Sequence, residues 1–167
     1  MSLEQEVELI RKFPIFSMIA PAKQKLLCFS SDRLTYAPGQ EMFHAGDVGD
    51  ACYVVIDGVV EITVDTTGVD GRAQRLLLSL VERNGLIGEI ATFGNAHRTA
   101  TATAKTRVEV LRISAELFRS VIRENPDAAI ELIRVLAERL TNTTEHLARA
   151  QAELATLRAQ ASTRDST

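Results

Sequence analysis

Between Ser31 and Ile113 the chain is cut into short stretches of period two, each closed by a turn signal. Arg33–Tyr36 runs into Pro38-Gly39, and Glu41–His44 is closed by Ala45-Gly46-Asp47. Cys52–Ile56 ends at Asp57-Gly58, a tight hairpin signal. Val59–Val64 sets Val60, Ile62 and Val64 on one face and Val59, Glu61 and Thr63 on the other. A polar turn over Thr66–Gly71 then returns the chain along Ala73–Val81. Arg98–Ala104 and Thr106–Ile113 complete the series, with Lys105-Thr106 between them. Many short strands with regular turns predict an antiparallel barrel or jelly roll. Helical patterns flank it, so the fold class is α+β. Leu3, Val7 and Ile10 predict a helix over 3–12, broken at Phe13-Pro14-Ile15-Phe16, and Pro21 opens a second over 20–29. Ser114 is the N-cap of a helix over 115–124.

One stretch inside the strand series does not read as a strand. Gly88-Glu89-Ile90-Ala91 is followed by a polar turn and then by Arg98-Thr99-Ala100-Thr101. Gly88 lets backbone approach a ligand with no Cβ in the way. Glu89-Ile90-Ala91 opens a short helical turn whose free N–H groups favour an anion. Glu89 offers a carboxylate to a pair of hydroxyls, and Arg98 a planar two-pronged donor suited to a phosphate. A phosphate site, a hydroxyl acceptor and close backbone approach together suggest a nucleotide. The alternative for these residues alone is a surface ion pair on a turn.

This stretch resembles the phosphate-binding cassette of the cyclic nucleotide-binding domain family, in which Gly-Glu-aliphatic-Ala/Gly is followed by Arg-Ser/Thr-Ala. Gly88, Glu89, Ile90, Ala91, Arg98, Thr99 and Ala100 fit that pattern without departure at the two charged positions. The glycine spacing of the strands is also similar to the family's β-roll: Gly39, Met42 or Phe43, Gly46-Asp47, Tyr53, Val55, Gly58, Val60 and Ile62. The resemblance covers about residues 8 to 147. It implies that the Glu89 carboxylate binds the ribose 2′-hydroxyl and Arg98 the cyclic phosphate. It also implies an antiparallel β-roll with N-terminal helices and a long C-terminal dimerisation helix.

From Asp127 to about Ala161 there is neither glycine nor proline. Asn125 is the expected N-cap and Pro126 the first helical residue. Such a helix reaches about 50 Å, too long to lie on one small barrel. Ile133, Leu136, Leu140, Thr143, Leu147, Ala150, Leu154 and Leu157 alternate spacings of three and four, an a/d heptad series. Glu153 and Arg158 fall at g and e, where they pair across a parallel two-stranded coil. The alternative is one amphipathic helix packed on its own barrel. Thr143 is polar at a d position and stands beside Thr144, so it either fixes register or faces a ligand. In the catabolite activator (cAMP receptor) branch of the family a Thr-Ser pair at this offset touches the adenine, which implies base contact for Thr143 and Thr144. The expected division is residues 1–125, the nucleotide-binding β-roll with its flanking helices; 126–161, a helix serving as ligand lid and dimer seam; and 162–167, a disordered tail.

The net charge of −3 over 167 residues does not indicate a general nucleic-acid surface. Relatives that regulate transcription continue into a helix-turn-helix domain; the sequence ends in polar residues instead, so direct DNA binding is not expected of it. Cys28 and Cys52 support neither a disulfide framework nor a metal site, and His44, His97 and His146 are scattered singly. No catalytic constellation is in view, no apolar run spans a bilayer, and the start lacks a signal-peptide pattern. The expectation is a cytoplasmic, non-enzymatic homodimer through 133–157. It takes cAMP in preference to cGMP, uses no metal, and acts on an effector protein or further output domain. The alternatives are a cGMP-preferring sensor and a structural dimerisation protein whose β-roll no longer binds nucleotide.

Overall fold

The structure, a computed structural model, describes residues 3–68, 71–94 and 97–164. Two compact units divide the chain, the first through Ala128 and the second from Ala129.

The first unit opens with three short helices, α1 (Leu3–Ile10), α2 (Pro14–Ser17) and α3 (Pro21–Phe29). Pro14 and Pro21 stand at helix starts, where their missing N–H is no loss. The break expected over Phe13–Phe16 therefore carries a helical turn of its own. Eight strands follow: β1 (Asp32–Tyr36), β2 (Glu41–Phe43), β3 (Ala51–Asp57), β4 (Val60–Thr67), β5 (Ala73–Val81), β6 (Leu86–Ile87), β7 (Thr101–Ala104) and β8 (Val108–Ser114). Helix α4 (Glu89–Phe93) interrupts them, and α5 (Ala115–Glu124) closes the series. They form two antiparallel four-stranded sheets, ordered β1-β8-β3-β6 and β2-β7-β4-β5. This is the expected antiparallel β-roll.

Asp57-Gly58 is not a hairpin. It joins β3 in one sheet to β4 in the other, and Lys105-Thr106 likewise carries β7 across to β8. A dipeptide of this kind signals a sharp turn with positive φ; whether the flanking strands then pair is decided by the rest of the sheet. Here the two corners pair with each other. Lys105 N donates to Val59 O at 2.8 Å, and Val59 N donates to Thr106 Oγ1 at 3.0 Å. Gly58 has φ 90°, and a Cβ on it would stand 2.9 Å from Val108 Cα and closer still to Arg107 O.

The inner faces of the two sheets meet in one core. Ala51, Tyr53, Val55, Val108 and Val110 come from one sheet, and Val60, Ala102 and Ala104 from the other. Strand β3 is buried on both faces from Ala51 to Ile56, because α4 and α5 pack on it from outside. Phe118 of α5 ties this outer layer together. Its ring meets Phe16 edge-on at 6.2 Å and Phe93 of α4 at 5.6 Å. The Ser114 side chain accepts from Leu117 N at 3.2 Å, the cap read from the sequence. Strand β5 forms the outer edge of its sheet and is exposed along nearly its whole length. Ser79 faces Ile62 and Leu77 faces Thr63, so Leu78 stands in a bulge.

Helix α6 (Pro126–Arg164) begins at the end of the first unit and forms the second. Its 39 residues extend about 58 Å. Asn125, expected as the N-cap of α6, donates back from Nδ2 to Val121 O at 2.6 Å, so its side chain closes α5. Along the second unit Ile133, Leu140, Leu147 and Leu154, seven residues apart, are all exposed. The Thr143 hydroxyl donates to Arg139 O and the Thr144 hydroxyl to Leu140 O, each at 2.8 Å. Of the expected tail, residues 162–164 continue the helix and 165–167 lie outside the described residues. Among the described residues no helix is long and apolar enough to cross a membrane.

The corner at Gly58 gives the first prediction. Gly58→Ala forces a Cβ onto the β7–β8 corner at a φ that L residues avoid, and is expected to lower stability by about 2 kcal/mol or more. Urea denaturation should show a lower midpoint with an unchanged slope; an unchanged midpoint would mean the corner relaxes freely.

Candidate functional site

The residues singled out around Gly88 and Arg98 are brought to one place by strand pairing. β6 pairs with β3, Ile87 opposite Tyr53, which sets Gly88 beside Ala51. Gly88 then adopts the left-handed conformation (φ 81°, ψ 4°) as the N-cap of α4. Glu89, at the first position of that helix, is 1% exposed. Thr92 Oγ1 donates to Glu89 O at 2.6 Å, and Arg119 Nη1 of α5 donates to Thr92 O at 2.9 Å. With Phe93 against Phe118, α4 is held on its buried side by α5. Ile90 points its side chain outward, while Ala91 is buried. A Cβ on Gly49 would collide with Ala91 Cβ, so the loop before β3 closes over α4 only because position 49 is glycine.

Arg98 approaches from the other side. Its backbone is joined to the 44–50 loop: Arg98 N donates to Asp47 O and Gly46 N to Arg98 O, each at 2.8 Å. Asp47 Oδ2 accepts from His44 N at 2.8 Å, and Thr101 Oγ1 accepts from Ala45 N at 3.1 Å, which fix the same loop. The Arg98 side chain runs inward and is only 2% exposed. Nη1 donates to Gly88 O at 3.1 Å, and the guanidinium lies 4.2 Å from the Phe43 ring centroid and 5.6 Å from that of Tyr53. Phe43 and Tyr53 stack on each other at 5.8 Å. Asp50 Oδ1 stands 3.7 Å from Nη2. Nε is buried with no hydrogen-bond partner among the described residues. Thr99 is exposed and Ala100 buried beside it.

These features fit an anionic ligand carrying hydroxyls. A buried cation whose Nε has no hydrogen-bond partner among the described residues is costly unless an anion completes it. A Cβ at Gly88 would overlap Arg98 Nη1, so the glycine makes room for the guanidinium as well as for a ligand. The N–H groups at the start of α4 point to the same side as further donors. Cys52 lies behind the site. Burial pushes its thiol well above its ordinary value, Glu89 adds to that rise, and Arg98 opposes it. Burial, then Glu6, pushes Cys28 up to about 11. Both thiols are free and buried, hence poor nucleophiles.

Thr143 and Thr144 lie on α6 in the second unit, both exposed. Phe43 as a guanidinium platform, Gly49, Asp50 and Arg112 were not singled out as site residues from sequence. Arg112 Nη2 donates to Asp50 Oδ2 at 2.6 Å, joining β8 to the mouth of the site. The signal for Gly49-Asp50 was faint: a second Gly-Asp pair three residues after the first.

A β-roll with a glycine-opened helical turn facing a buried, incompletely paired arginine has the features of a domain that binds a small anionic ligand. The chain belongs to the cyclic nucleotide-binding domain family, whose profile matches residues 33–125; the CRP-like regulators to which it is related are non-enzymatic. It is 30% identical over 141 residues to the CRP-like cAMP-activated global transcriptional regulator of Mycobacterium tuberculosis, covering 84% of this chain and 61% of that protein. The chain thus spans between about half and three fifths of the length of the curated relatives it matches. The Thermus thermophilus catabolite activator protein superposes with a TM-score of 0.66 at 31% identity, over 80% of this chain and 61% of that one. The sensor domain of the transcriptional regulator DNR from Pseudomonas aeruginosa shares the fold, with a TM-score of 0.72 at 23% identity over 86% of this chain and 93% of that domain.

Proposed function

We propose that this chain is a cytoplasmic, cAMP-preferring sensor module that dimerises through residues 133–157 of α6 and passes ligand binding to a partner or output domain along that helix. The observation that carries it is the buried Arg98 guanidinium with its unpartnered Nε behind Gly88. Arg98 and the N–H groups of the Gly88–Ala91 turn hold the cyclic phosphate, and Glu89 accepts from the ribose 2′-hydroxyl. Ile90, Thr99 and Ala100 complete the cassette wall. No metal is required, since the cation at the phosphate is supplied by Arg98. The M. tuberculosis relative is described as cAMP-activated and the T. thermophilus one as a cyclic AMP receptor, and both match the length of chain that carries the cassette.

Arg98→Glu replaces the phosphate's cation with a repelling carboxylate and is expected to lower cyclic nucleotide affinity by about a hundredfold or more. Calorimetric titration with cAMP and cGMP, on protein whose circular dichroism is unchanged, checks it. Near-wild-type affinity in a folded variant would remove Arg98 from the site.

Base preference rests on Thr143 and Thr144. Their hydroxyl protons are committed to the carbonyls four residues back. The oxygens retain acceptor capacity, which suits the 6-amino group of adenine and not the 6-carbonyl of guanine. Thr99 is compatible with either base. Thr143→Ala/Thr144→Ala is expected to reduce the cAMP preference by about five- to tenfold, and Thr99→Ala to leave it in place. A wild type that binds cGMP tenfold more tightly, with the preference lost in Thr99→Ala, would move the base contact to the cassette end.

Dimerisation is supported by the exposed Ile133, Leu140, Leu147 and Leu154 stripe, which has the spacing of a coiled-coil seam. Glu153 and Arg158 are the proposed cross-pair. Leu140→Lys/Leu154→Lys puts charges where they would be desolvated. Sedimentation should report a dimer for the wild type and a monomer for the double variant. A wild type that is monomeric at about 100 μM, where weak coils associate, would overturn the seam.

A further inference from the structure

One carboxylate faces two guanidiniums. Asp50 Oδ2 accepts from Arg112 Nη2 at 2.6 Å, while Asp50 Oδ1 stands 3.7 Å from Arg98 Nη2, too far for a hydrogen bond. The Asp50 backbone is fixed: Asp50 N donates to Val48 O at 3.1 Å and Asp50 O accepts from Ala115 N at 2.8 Å. Its side chain is 61% exposed and the Arg98 side chain 2%, so the carboxylate stands between solvent and the buried cation. Arg112 is itself anchored, since β8 lies between β1 and β3 and Nη1 donates to Asp32 Oδ2 at 3.3 Å.

We infer that Arg112, which is not one of the cassette residues, is a positioning residue that sets anion affinity by drawing the Asp50 carboxylate off Arg98. The inference rests on the reading of Arg98 as the phosphate ligand. A carboxylate at hydrogen-bond distance from Arg98 takes up the donors a phosphate needs and repels it as well. While Arg112 holds Asp50, Nε of Arg98 stays unpartnered and Nη2 is only loosely paired. Without Arg112, Arg98 is the only one of the two cations left to Asp50, and a side-chain rotation closes the gap. The residue on β8 thereby controls a competitor, and its effect vanishes when the competitor is removed.

The test is calorimetric titration of the full chain with cAMP, in wild type, Arg112→Gln, Arg112→Lys, Asp50→Asn and Asp50→Asn/Arg112→Gln, with thermal melts alongside. At low salt Arg112→Gln is expected to weaken binding about fivefold and Asp50→Asn to tighten it about threefold. Arg112→Lys should stay near wild type. The double variant should follow Asp50→Asn alone, because Arg112 acts only through Asp50. The differences should shrink at about 1 M salt, as expected for a partly exposed pair. Equal losses for Arg112→Gln with and without Asp50, or weaker binding in Asp50→Asn, would overturn the inference and leave the cyclic nucleotide reading standing. A wild type that binds neither cAMP nor cGMP would overturn that reading, and this inference with it.

Discussion

The buried guanidinium of Arg98 is the interaction on which this architecture turns. Taking a cation out of water is expensive. A carbonyl at Gly88, the faces of Phe43 and Tyr53 and a loosely placed Asp50 surround this one. That arrangement dictates its surroundings. Position 88 has no room for a Cβ because Nη1 occupies it, and position 49 has none because Ala91 does. The 44–50 loop is bonded to Arg98 on both its N–H and its carbonyl, so the arginine cannot leave without unzipping that loop. The partner strands β3 and β6 hold the glycine turn against it. Such over-determined burial of an incompletely paired cation is what a preorganised anion site requires.

α5 extends this constraint outward. Its first N–H is bonded to Asp50 O, its Arg119 to Thr92 O, and its Phe118 to the ring of Phe93. Both sides of the site, the 44–50 loop and the α4 turn, are therefore fastened to the same helix. Phe118 also reaches Phe16 of the N-terminal helices. A shift of α4 on ligand binding would be felt by α5 as displaced packing rather than as a local loop movement.

Much of this was legible in the sequence, and what was missed has a common cause. The strand over Ala73–Val81 was read with its actual ends, and Ser114 caps as expected. Gly88, with Glu89 next to it, meets Arg98 because their spacing encodes a turn, a short helix and a return toward β7. Asp57-Gly58 misled because a local turn signal says nothing about which sheet the next strand joins. β6 has only two residues, too few to show a period. Asp50 and Arg112 meet across 62 residues through the pairing of β3 with β8. No local pattern announces such a pair; it exists only once register is fixed.

The second unit poses the opposite problem, apolar surface with nothing over it. A helix with Ile133 and three leucines exposed every seven residues loses free energy to water at each one, roughly 2 kcal/mol per buried-versus-exposed side chain. In the proposed coil these become the a positions, and Leu136, Thr143, Ala150 and Leu157 the d positions. Thr143 and Ala150 bury far less apolar area than leucine would, so two of these four layers contribute little. Pairing through such a seam would be weaker than through a uniformly leucine one, and weakest in its middle. The differential contacts of a small ligand, worth a few kcal/mol, would act most readily on that middle. Thr143 and Thr144, with hydroxyl protons already committed to the helix, place acceptor oxygens in the weakened segment. The residues that would loosen the proposed coil are thus the ones proposed to sense the base.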